Sequence, residues 1–379
     1  MEPAAPGPPG NSNLITLFLC GDVMTGRGID QILPYSNPPA IHEPYMETAT
    51  DYVRFAEKVN GPIPKPVDFA YIWGDALEEL VLASPDVRII NLETSITTSE
   101  DWLPKGINYR MHPKNVPCIT AAKIDCCVLA NNHVLDWGYA GLAETLETLK
   151  KAGVSTAGAG DNLDQAEAAA IMEVAGKGRM LVFSLGSVTS GIPPDWAASE
   201  NKAGVNLLEG FSEKTVRAIA ESVREVKQPG DIVIASIHWG SNWGYYIPPE
   251  QRAFAHQLIE KAGVNIIHGH SSHHPKGIEI YQESPILYGC GDFLNDYEGI
   301  RGYEKYRGEL TLMYFVSMEA GTGKVCHLEM VPLQIKHFRL NRASREDRQW
   351  LQETLTREGK KLGTQVKEGS HHTLILKWE

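Results

Sequence analysis

Short apolar runs alternate with longer amphipathic stretches along almost the whole of this 379-residue chain. The runs are rich in Val and Ile and have the length of strands, whereas the stretches between them space their apolar residues as helices do. This alternation is typical of an α/β protein. The predicted strands are residues 14–23, 87–94, 126–131, 169–174, 180–187, 232–238, 264–268, 285–289, 310–319 and 327–338. The predicted helices are residues 138–152, 212–226, 249–262 and 345–361.

Composition and charge exclude several other classes. With 42% hydrophobic and 22% charged residues, the chain is neither disordered nor a simple coiled coil. The 35 Lys and Arg against 47 Asp and Glu give a net charge of −12, which argues against nucleic-acid or anionic-membrane partners. The six cysteines contain no C-x-x-C pair, so we expect reduced core thiols rather than disulfides.

The chain divides into three parts in this interpretation. Residues 1–13 are rich in proline and lack the basic start of a signal peptide, so we expect a flexible tail on a cytoplasmic protein. Residues 14–343 form one catalytic domain, in which the proline-containing segment 41–66 is an inserted lid. Residues 344–379 form a helical extension. No apolar run reaches the roughly 20 residues of a membrane helix.

Polar residues stand where six of the predicted strands end. These endings are Gly21-Asp22, Asn91-Leu92-Glu93, Asn131-Asn132-His133 with Asp136 after it, His238-Trp239-Gly240, the segment from His268 to His274, and Gly289-Cys290-Gly291-Asp292. In open α/β sheets, ligands bind beyond the carboxyl ends of the strands. The endings therefore predict one polar site.

The residue types at these endings favour a metal. Each alone has a simpler interpretation, as a helix cap, a turn residue or a structural histidine. Together, carboxylate oxygen, amide oxygen and imidazole nitrogen form a donor set that suits Mn, Zn, Fe, Co or Ca. We predict a divalent metal ion and no organic cofactor.

The order of these motifs resembles the CapA family of capsule and poly-γ-glutamate synthesis proteins. The resemblance rests on Gly21-Asp22-Val23-Met24, Asn91-Leu92-Glu93, Asn131-Asn132-His133, Asp136-Trp137-Gly138, His238-Trp239-Gly240 and Gly269-His270, and it covers residues 14–332. The family is similar to calcineurin-like metallophosphoesterases. The resemblance implies a four-layer αββα fold with two facing mixed sheets.

The resemblance also implies roles for single residues. The metal ligands it implies are Asp22, Glu93, Asn132, His238 and His270, and His133 corresponds to the acid/base histidine. Met24 and Ser272 stand where the superfamily has histidines that serve one half of a two-metal site. We therefore expect one well-held ion, on Glu93, Asn132, His238 and His270. A second site is weak or absent unless His273 or His274 substitutes.

A single ion with nearby histidines favours acid/base chemistry on a peptide over ordinary phosphoester hydrolysis, which uses two metals in this fold. An ion that polarises a carbonyl makes the adjacent Cα proton easier to remove, and two acid/base groups on opposite faces then give epimerisation. His133 is the candidate for one face. The candidates for the other face are Asp292, Asp296, His273 and His274. The candidates for substrate binding are Arg27, Lys105, Tyr109 and Arg110 for a carboxylate, and Trp239 for an apolar end.

The predicted function is that of a metal-dependent isomerase. It would convert a residue near the C-terminal carboxylate of a ribosomal peptide from L to D, as in the lasso-peptide epimerases that the family resembles. One alternative is a poly-γ-glutamate or capsule-synthesis hydrolase or transferase. The others are a metallophosphoesterase and a non-catalytic scaffold. The expected partner is a peptide, with no nucleic acid and no membrane.

Overall fold

Two mixed β-sheets lie at the centre of the computed structural model, which describes residues 13–378. The strands are β1 Leu14–Val23, β2 Val87–Leu92, β3 Ser95–Ile96, β4 Arg110–Met111, β5 Cys126–Val128, β6 Ser155–Ala157, β7 Ala159–Gly160, β8 Ala170–Val174, β9 Gly178–Gly186, β10 Gly204–Val205, β11 Ile232–His238, β12 Ile266–His270, β13 Ile278–Tyr281, β14 Ser284–Leu287, β15 Asp292–Leu294, β16 Leu310–Glu319, β17 Val325–Ile335, β18 Leu340–Arg342, β19 Thr364–Glu368 and β20 Leu374–Trp378. The α-helices are α1 Arg27–Ile32, α2 Thr50–Asn60, α3 Ala76–Ala83, α4 Pro117–Ala121, α5 Gly138–Lys151, α6 Leu163–Glu167, α7 Glu213–Val226, α8 Pro249–Ala262 and α9 Arg345–Gly359. The predicted tail, apart from Asn13, lies outside the described residues.

The strand orders place four parallel strands in each sheet, in the middle of the smaller sheet and along one side of the larger sheet. The larger sheet runs β19-β20-β17-β16-β1-β2-β5-β6, with β15 beside β1 and β18 beside β17. The smaller sheet runs β13-β14-β12-β11-β9-β8. The strands β1, β2, β5 and β6 are mutually parallel, as are β9, β11, β12 and β14. Their carboxyl ends therefore lie at one edge of each sheet.

Burial along the strands shows four layers. Leu17 and Leu19 of β1 lie in a core shared with Ile234 of β11, between the sheets. The intervening Phe18 faces the opposite way, into a core with helices α1 to α5. Helices α7 and α8 cover the outer face of the smaller sheet, where Val233 packs. Alternate side chains of each strand thus point to the inner and the outer face of its sheet. The predicted αββα fold is confirmed.

The segment 41–66 is less irregular than predicted. It contains helix α2, whose Tyr52, Val53 and Ala56 are buried in the outer core of the larger sheet. The helical spacing of these three side chains explains why the segment forms a helix despite its prolines. Its movement as a lid stays a prediction.

The C-terminal segment differs from the predicted helical extension. Helix α9 is present, but Thr364–Glu368 and Leu374–Trp378 are strands, and β20 extends the larger sheet by pairing with β17. Val366, Leu374 and Leu376 are buried at alternate positions, a strand pattern too short to stand out in the sequence.

The cysteines and the apolar character of the helices complete the description of the fold. All six cysteines are free, as predicted, but Cys326 is exposed and is therefore not a core residue. Within residues 13–378, none of the helices combines the length and the apolar character needed to cross a membrane.

Candidate metal centre

Strand register brings the predicted ligands together. Asp22 of β1 is paired with Asn91 of β2 on one side and with Asp292 of β15 on the other. His238 of β11 is paired with His270 of β12 in the facing sheet. All five side chains are buried. These side chains therefore lie together between the carboxyl ends of the two sheets.

Asp22 belongs to two groups of possible metal donors. In the first group, its Oδ1 lies 3.9 Å from Nδ1 of His238 and 3.8 Å from Nδ1 of His270. In the second group, carboxylate oxygens of Asp22, Glu93 and Asp292 all lie within 4.8 Å of one another. Asp292, predicted as an acid/base group, is thus placed as a candidate ligand.

The ring of His238 separates the predicted ligands into two sets. Its Nε2 lies 2.8 Å from Oδ1 of Asn132 and 3.7 Å from Oε1 of Glu93. Its Nδ1 lies 2.7 Å from Nδ1 of His270. The expected set of Glu93, Asn132, His238 and His270 therefore lies on two sides of this ring, with Glu93 and Asn132 near Nε2 and His270 near Nδ1.

The histidines of the first group make one more polar contact than they have protons to share. A bound cation would account for this difference. Burial lowers the pKa of the three histidines involved, His238, His268 and His270, so each ring is neutral and carries one proton. The contacts run in a chain from the carbonyl oxygen of Cys20 through His268, Ser236, His270 and His238 to Oδ1 of Asn132. Three rings and one hydroxyl supply four protons to five contacts.

A cation between the two Nδ1 atoms would resolve the shortage. Each of the other four contacts would then have its own proton, and both Nδ1 lone pairs would face the ion together with Asp22. In this arrangement, Asn132 holds His238 in position through Nε2 and is not itself a ligand.

The carboxylates of the second group also fit a cation. Burial and the nearby Asp292 raise the pKa of Asp22 to about 7, although the hydrogen bond from Asn91 opposes the rise. Burial and the charges of Asp22 and Asp292 raise the pKa of Glu93 well above its usual range. Three buried carboxylates that repel one another are the arrangement that a divalent ion stabilises.

His133 lies beside Glu93 with its ring held on two sides. Its Nδ1 is 2.6 Å from Oδ2 of Asp136, and the Tyr109 ring stacks on it at 3.9 Å between centroids. Its Nε2 is 3.9 Å from Oε1 of Glu93. Burial lowers the pKa of His133 to about 4 against the opposing charge of Asp136, so the ring is neutral.

Lys105 and His273 complete the charged groups of the site. Lys105 Nζ lies 2.5 Å from Oδ1 of Asp136 and donates to the carbonyl oxygen of Asn132. His273 Nδ1 is 2.9 Å from Oδ1 of Asp292. Burial opposes protonation of His273, but the charge and hydrogen bond of Asp292 outweigh it and raise its pKa.

These groups surround a polar cavity of about 260 Å³. The lining includes Glu93, Lys105, Tyr109, Asn132, His133, His238, Asn242, Ser271, His273 and Tyr297. Of the predicted substrate-binding residues, Lys105 and Tyr109 therefore line this cavity.

Arg27 and Asp296 do not line this cavity, contrary to their predicted roles. Both are buried, and the Arg27 guanidinium donates to both carboxylate oxygens of Asp296, at 3.2 and 2.5 Å. Glu43 accepts a further bond at 2.8 Å. This ion pair occupies the Arg27 guanidinium that would otherwise bind a substrate carboxylate. The Asp296 carboxylate is occupied by the same contacts.

Arg110, Trp239 and His274 also lie away from the cavity. Arg110 stacks on the Trp137 ring at 3.8 Å and donates to the carbonyl of Ser99. The Trp239 indole is buried in the core of the smaller sheet. His274 stacks on Tyr306 at 4.7 Å, so it does not replace a missing ligand. Apolar and aromatic residues that are distant in sequence hold these side chains, so the local sequence does not indicate their positions.

Sequence reasoning missed several groups that touch the centre. Asn91 Nδ2 donates to Oδ1 of Asp22 at 2.6 Å, and the N–H of Ser271 donates to Oδ2 at 3.1 Å. Asn91 stands in a recognised motif, so its position next to Glu93 was an available signal. The hydroxyl of Tyr297 lies 2.6 Å from that of Tyr109, and no sequence pattern marks it.

Two facing mixed sheets with oxygen and imidazole side chains at their strand ends define a calcineurin-like fold. Residues 16–297 match the model of the bacterial capsule synthesis proteins, PGA_cap, and the chain belongs to this family. The predicted resemblance is thereby confirmed.

Named relatives are similar over most of the chain. A probable polyglutamine synthesis accessory protein of Mycobacterium tuberculosis is 48% identical over 359 residues, 94% of each chain. The capsule biosynthesis protein CapA of Bacillus anthracis is 23% identical, covering 88% of this chain and 71% of its own length. The PGA biosynthesis protein CapA of Bacillus subtilis is 27% identical, covering 74% and 68%. These names favour the predicted capsule-synthesis alternative and do not support an epimerase.

Proposed function

We propose that this chain is a divalent-metal-dependent hydrolase or transferase that acts on the amide bonds of a polypeptide of glutamate or glutamine. The observation that carries the proposal is that each donor group reaches one polar cavity, through His238 and through Glu93, and that the neutral, held His133 lines the same cavity. The substrate class is taken from the names of the relatives.

The donor groups determine where metal would be held. His238, His270 and Asp22 would hold an ion on one side, and Asp22, Glu93 and Asp292 would hold one on the other. A divalent ion bound there supplies Lewis-acid polarisation of a substrate oxygen and lowers the pKa of bound water.

The chain's own residues supply acid/base chemistry and positioning. Because Asp136 engages Nδ1 of His133, the free Nε2 can accept a proton from an attacking water or hydroxyl group. His273, held by Asp292, can donate a proton to the leaving amine. Lys105 and the hydroxyls of Tyr109 and Tyr297 can orient the carbonyl and carboxylate groups of the substrate.

Peptide epimerisation is a second candidate because His133 and His273 line the same cavity. A substrate Cα between the two imidazoles would meet a proton acceptor and a proton donor. Deuterium uptake at Cα from D₂O, without chain cleavage, would distinguish this chemistry from hydrolysis.

The decisive experiment follows amine release from oligoglutamate, in both α- and γ-linked forms, and from oligoglutamine. The manganese-loaded protein should release amine, chelation should stop the release, and His133→Gln should lose most of it. His327→Gln is the matched control, since that histidine is half-buried on β17 and does not line the cavity. If none of the oligomers is cleaved or transferred, or if exhaustive chelation leaves the rate unchanged, the proposal is wrong.

A further inference from the structure

A groove along helix α9 carries an excess of positive charge. It lies between α9 and strands β19 and β20 and has a volume of about 570 Å³. Its cations are Arg345, Arg348, Arg357 and Lys360, and its acids are Glu353 and Glu368. The difference, 4 − 2, is +2 in a chain whose net charge is −12. We call this surface the α9 groove.

The floor of the α9 groove is fixed by hydrogen bonds between the helix and the strand. Thr356 Oγ1 donates to the carbonyl of Val366 and accepts from its N–H, both at 3.1 Å. Leu351 and Leu355 anchor the inner face of α9 in the core between the sheets. The groove walls are therefore held in place without a ligand.

The cations at the two ends of the groove have unused hydrogen-bond donors. Within residues 13–378, the side chains of Arg345 and Lys360 make no hydrogen bond or ion pair, and both residues are exposed. Arg345 is also the first residue of α9, where the positive end of the helix dipole disfavours a cation. Arg357, by contrast, is partly neutralised by Glu358 at 2.9 Å.

The cations form two pairs at opposite ends of the helix. Arg345 and Arg348 stand at one end, Arg357 and Lys360 at the other, and Gln349 and Gln352 lie between them. At about 1.5 Å per residue, Arg345 and Lys360 are roughly 22 Å apart along the axis. An extended polypeptide covers that span with about seven residues at ~3.3 Å each.

We propose that the α9 groove binds an anionic polypeptide in extended form, with carboxylates of the ligand at both cation pairs. Guanidinium groups bind carboxylates through paired hydrogen bonds, which suits the three arginines of these pairs. A polypeptide is favoured over a nucleic acid because the residues that line the groove include no aromatic side chain on which bases could stack. The polypeptide class is that of the proposed function, but binding here does not require chemistry at the metal centre.

Fluorescence anisotropy with labelled oligo-L-glutamate of about ten residues tests the proposal. The double variant Arg345→Gln/Lys360→Gln should bind at least tenfold more weakly than the unaltered protein. A ligand of about three residues, which cannot span both pairs, should show a similar loss. The matched control is Lys151→Gln/Lys214→Gln, which removes two cations from exposed positions elsewhere.

Three outcomes would overturn the proposal. The first is an equal loss of affinity in the control variant, and the second is no loss in the groove variant. The third is tighter binding of a single-stranded oligonucleotide than of oligoglutamate. Because the experiment measures binding and not turnover, a failure of the proposed reaction at the metal centre would leave its result unchanged.

Discussion

His238 and His270 point the same ring nitrogen, Nδ1, at each other across 2.7 Å. They stand in register on neighbouring parallel strands, so the sheet itself fixes this approach. The outer nitrogens of the two rings meet Asn132 and Ser236, at 2.8 and 2.9 Å. If Nε2 of each ring donates to its outer partner, both Nδ1 lone pairs are left for a metal ion.

Removal of the Ser236 hydroxyl should therefore weaken metal binding without removing a ligand. We expect Ser236→Ala to lower metal affinity by about ten- to hundredfold, the usual effect of losing a group that orients a ligand. Titration calorimetry with Mn²⁺ or Zn²⁺ measures the change. Ser222→Ala on the exposed face of α7 is the control, and equal affinities in the two variants would contradict the proposed arrangement.

Removal of the His133 imidazole should reduce turnover but leave metal content unchanged. Since acid/base groups contribute about 10²–10⁴-fold to rate, His133→Gln should lower kcat by at least about a hundredfold. Elemental analysis of the purified variant measures bound metal separately. A variant that keeps its rate, or that loses its metal together with its rate, would show that His133 has a different role.

Stability at alkaline pH should report on Lys276. This lysine is almost entirely buried, and burial lowers its pKa from 10.5 to about 8. Between these values the unfolded chain binds more protons than the folded one, so this group makes the free energy of unfolding rise with pH by roughly 3 kcal/mol in total. Below pH 8 the buried charge is destabilising.

The variant Lys276→Met should remove that rise. We expect it to be more stable than the unaltered protein at pH 7 and to lose this advantage by about pH 10. Urea unfolding at both pH values measures the difference between the two proteins, in which the titration of other groups cancels. A difference independent of pH would contradict the lowered pKa.

Substitution of Gly21 should disrupt both the fold and the metal centre. A Cβ at this position would lie 1.6 Å from the carbonyl oxygen of Gly291, at the point where β1 meets the start of β15. Gly21→Ala must push apart the strands that pair Asp22 with Asp292, at a cost of at least about 2 kcal/mol.

Thermal unfolding and metal titration would measure the two effects of Gly21→Ala. The comparison is Gly308→Ala, whose new methyl group would approach no atom closer than 3.2 Å. Equal stability of the two variants would show that the backbone at Gly21 can shift without cost.

The strand endings predicted the place of the site because parallel strands share one edge. Asp22, Glu93, His133, His238, His270 and His273 all converge there. Which nitrogen of His238 faces which partner depends on the facing sheet, so no local pattern could divide the donors into two groups. The same limit explains Asp292, which begins the short strand β15 beside β1 and joins the carboxylates.

The errors have a common physical origin in contacts between residues distant in sequence. Arg27 meets Asp296 only after β15 has paired with β1, and this buried ion pair takes up the guanidinium that was expected to bind substrate. Trp239 directly follows strand β11, which ends at His238, but its ring is buried in the core of the smaller sheet.

The pairing of β20 with β17 bears on how this protein can be shortened for expression. A fragment ending at residue 343 would expose the backbone amides and carbonyls of β17 at Glu329 and Met330, which β20 otherwise covers. It would also uncover the inter-sheet core against which Leu351 and Leu355 of α9 pack. A strand with an unpaired edge of this kind can form backbone hydrogen bonds with a strand of another molecule. A truncated product is therefore expected to aggregate during purification, even though its motifs for metal binding are all retained.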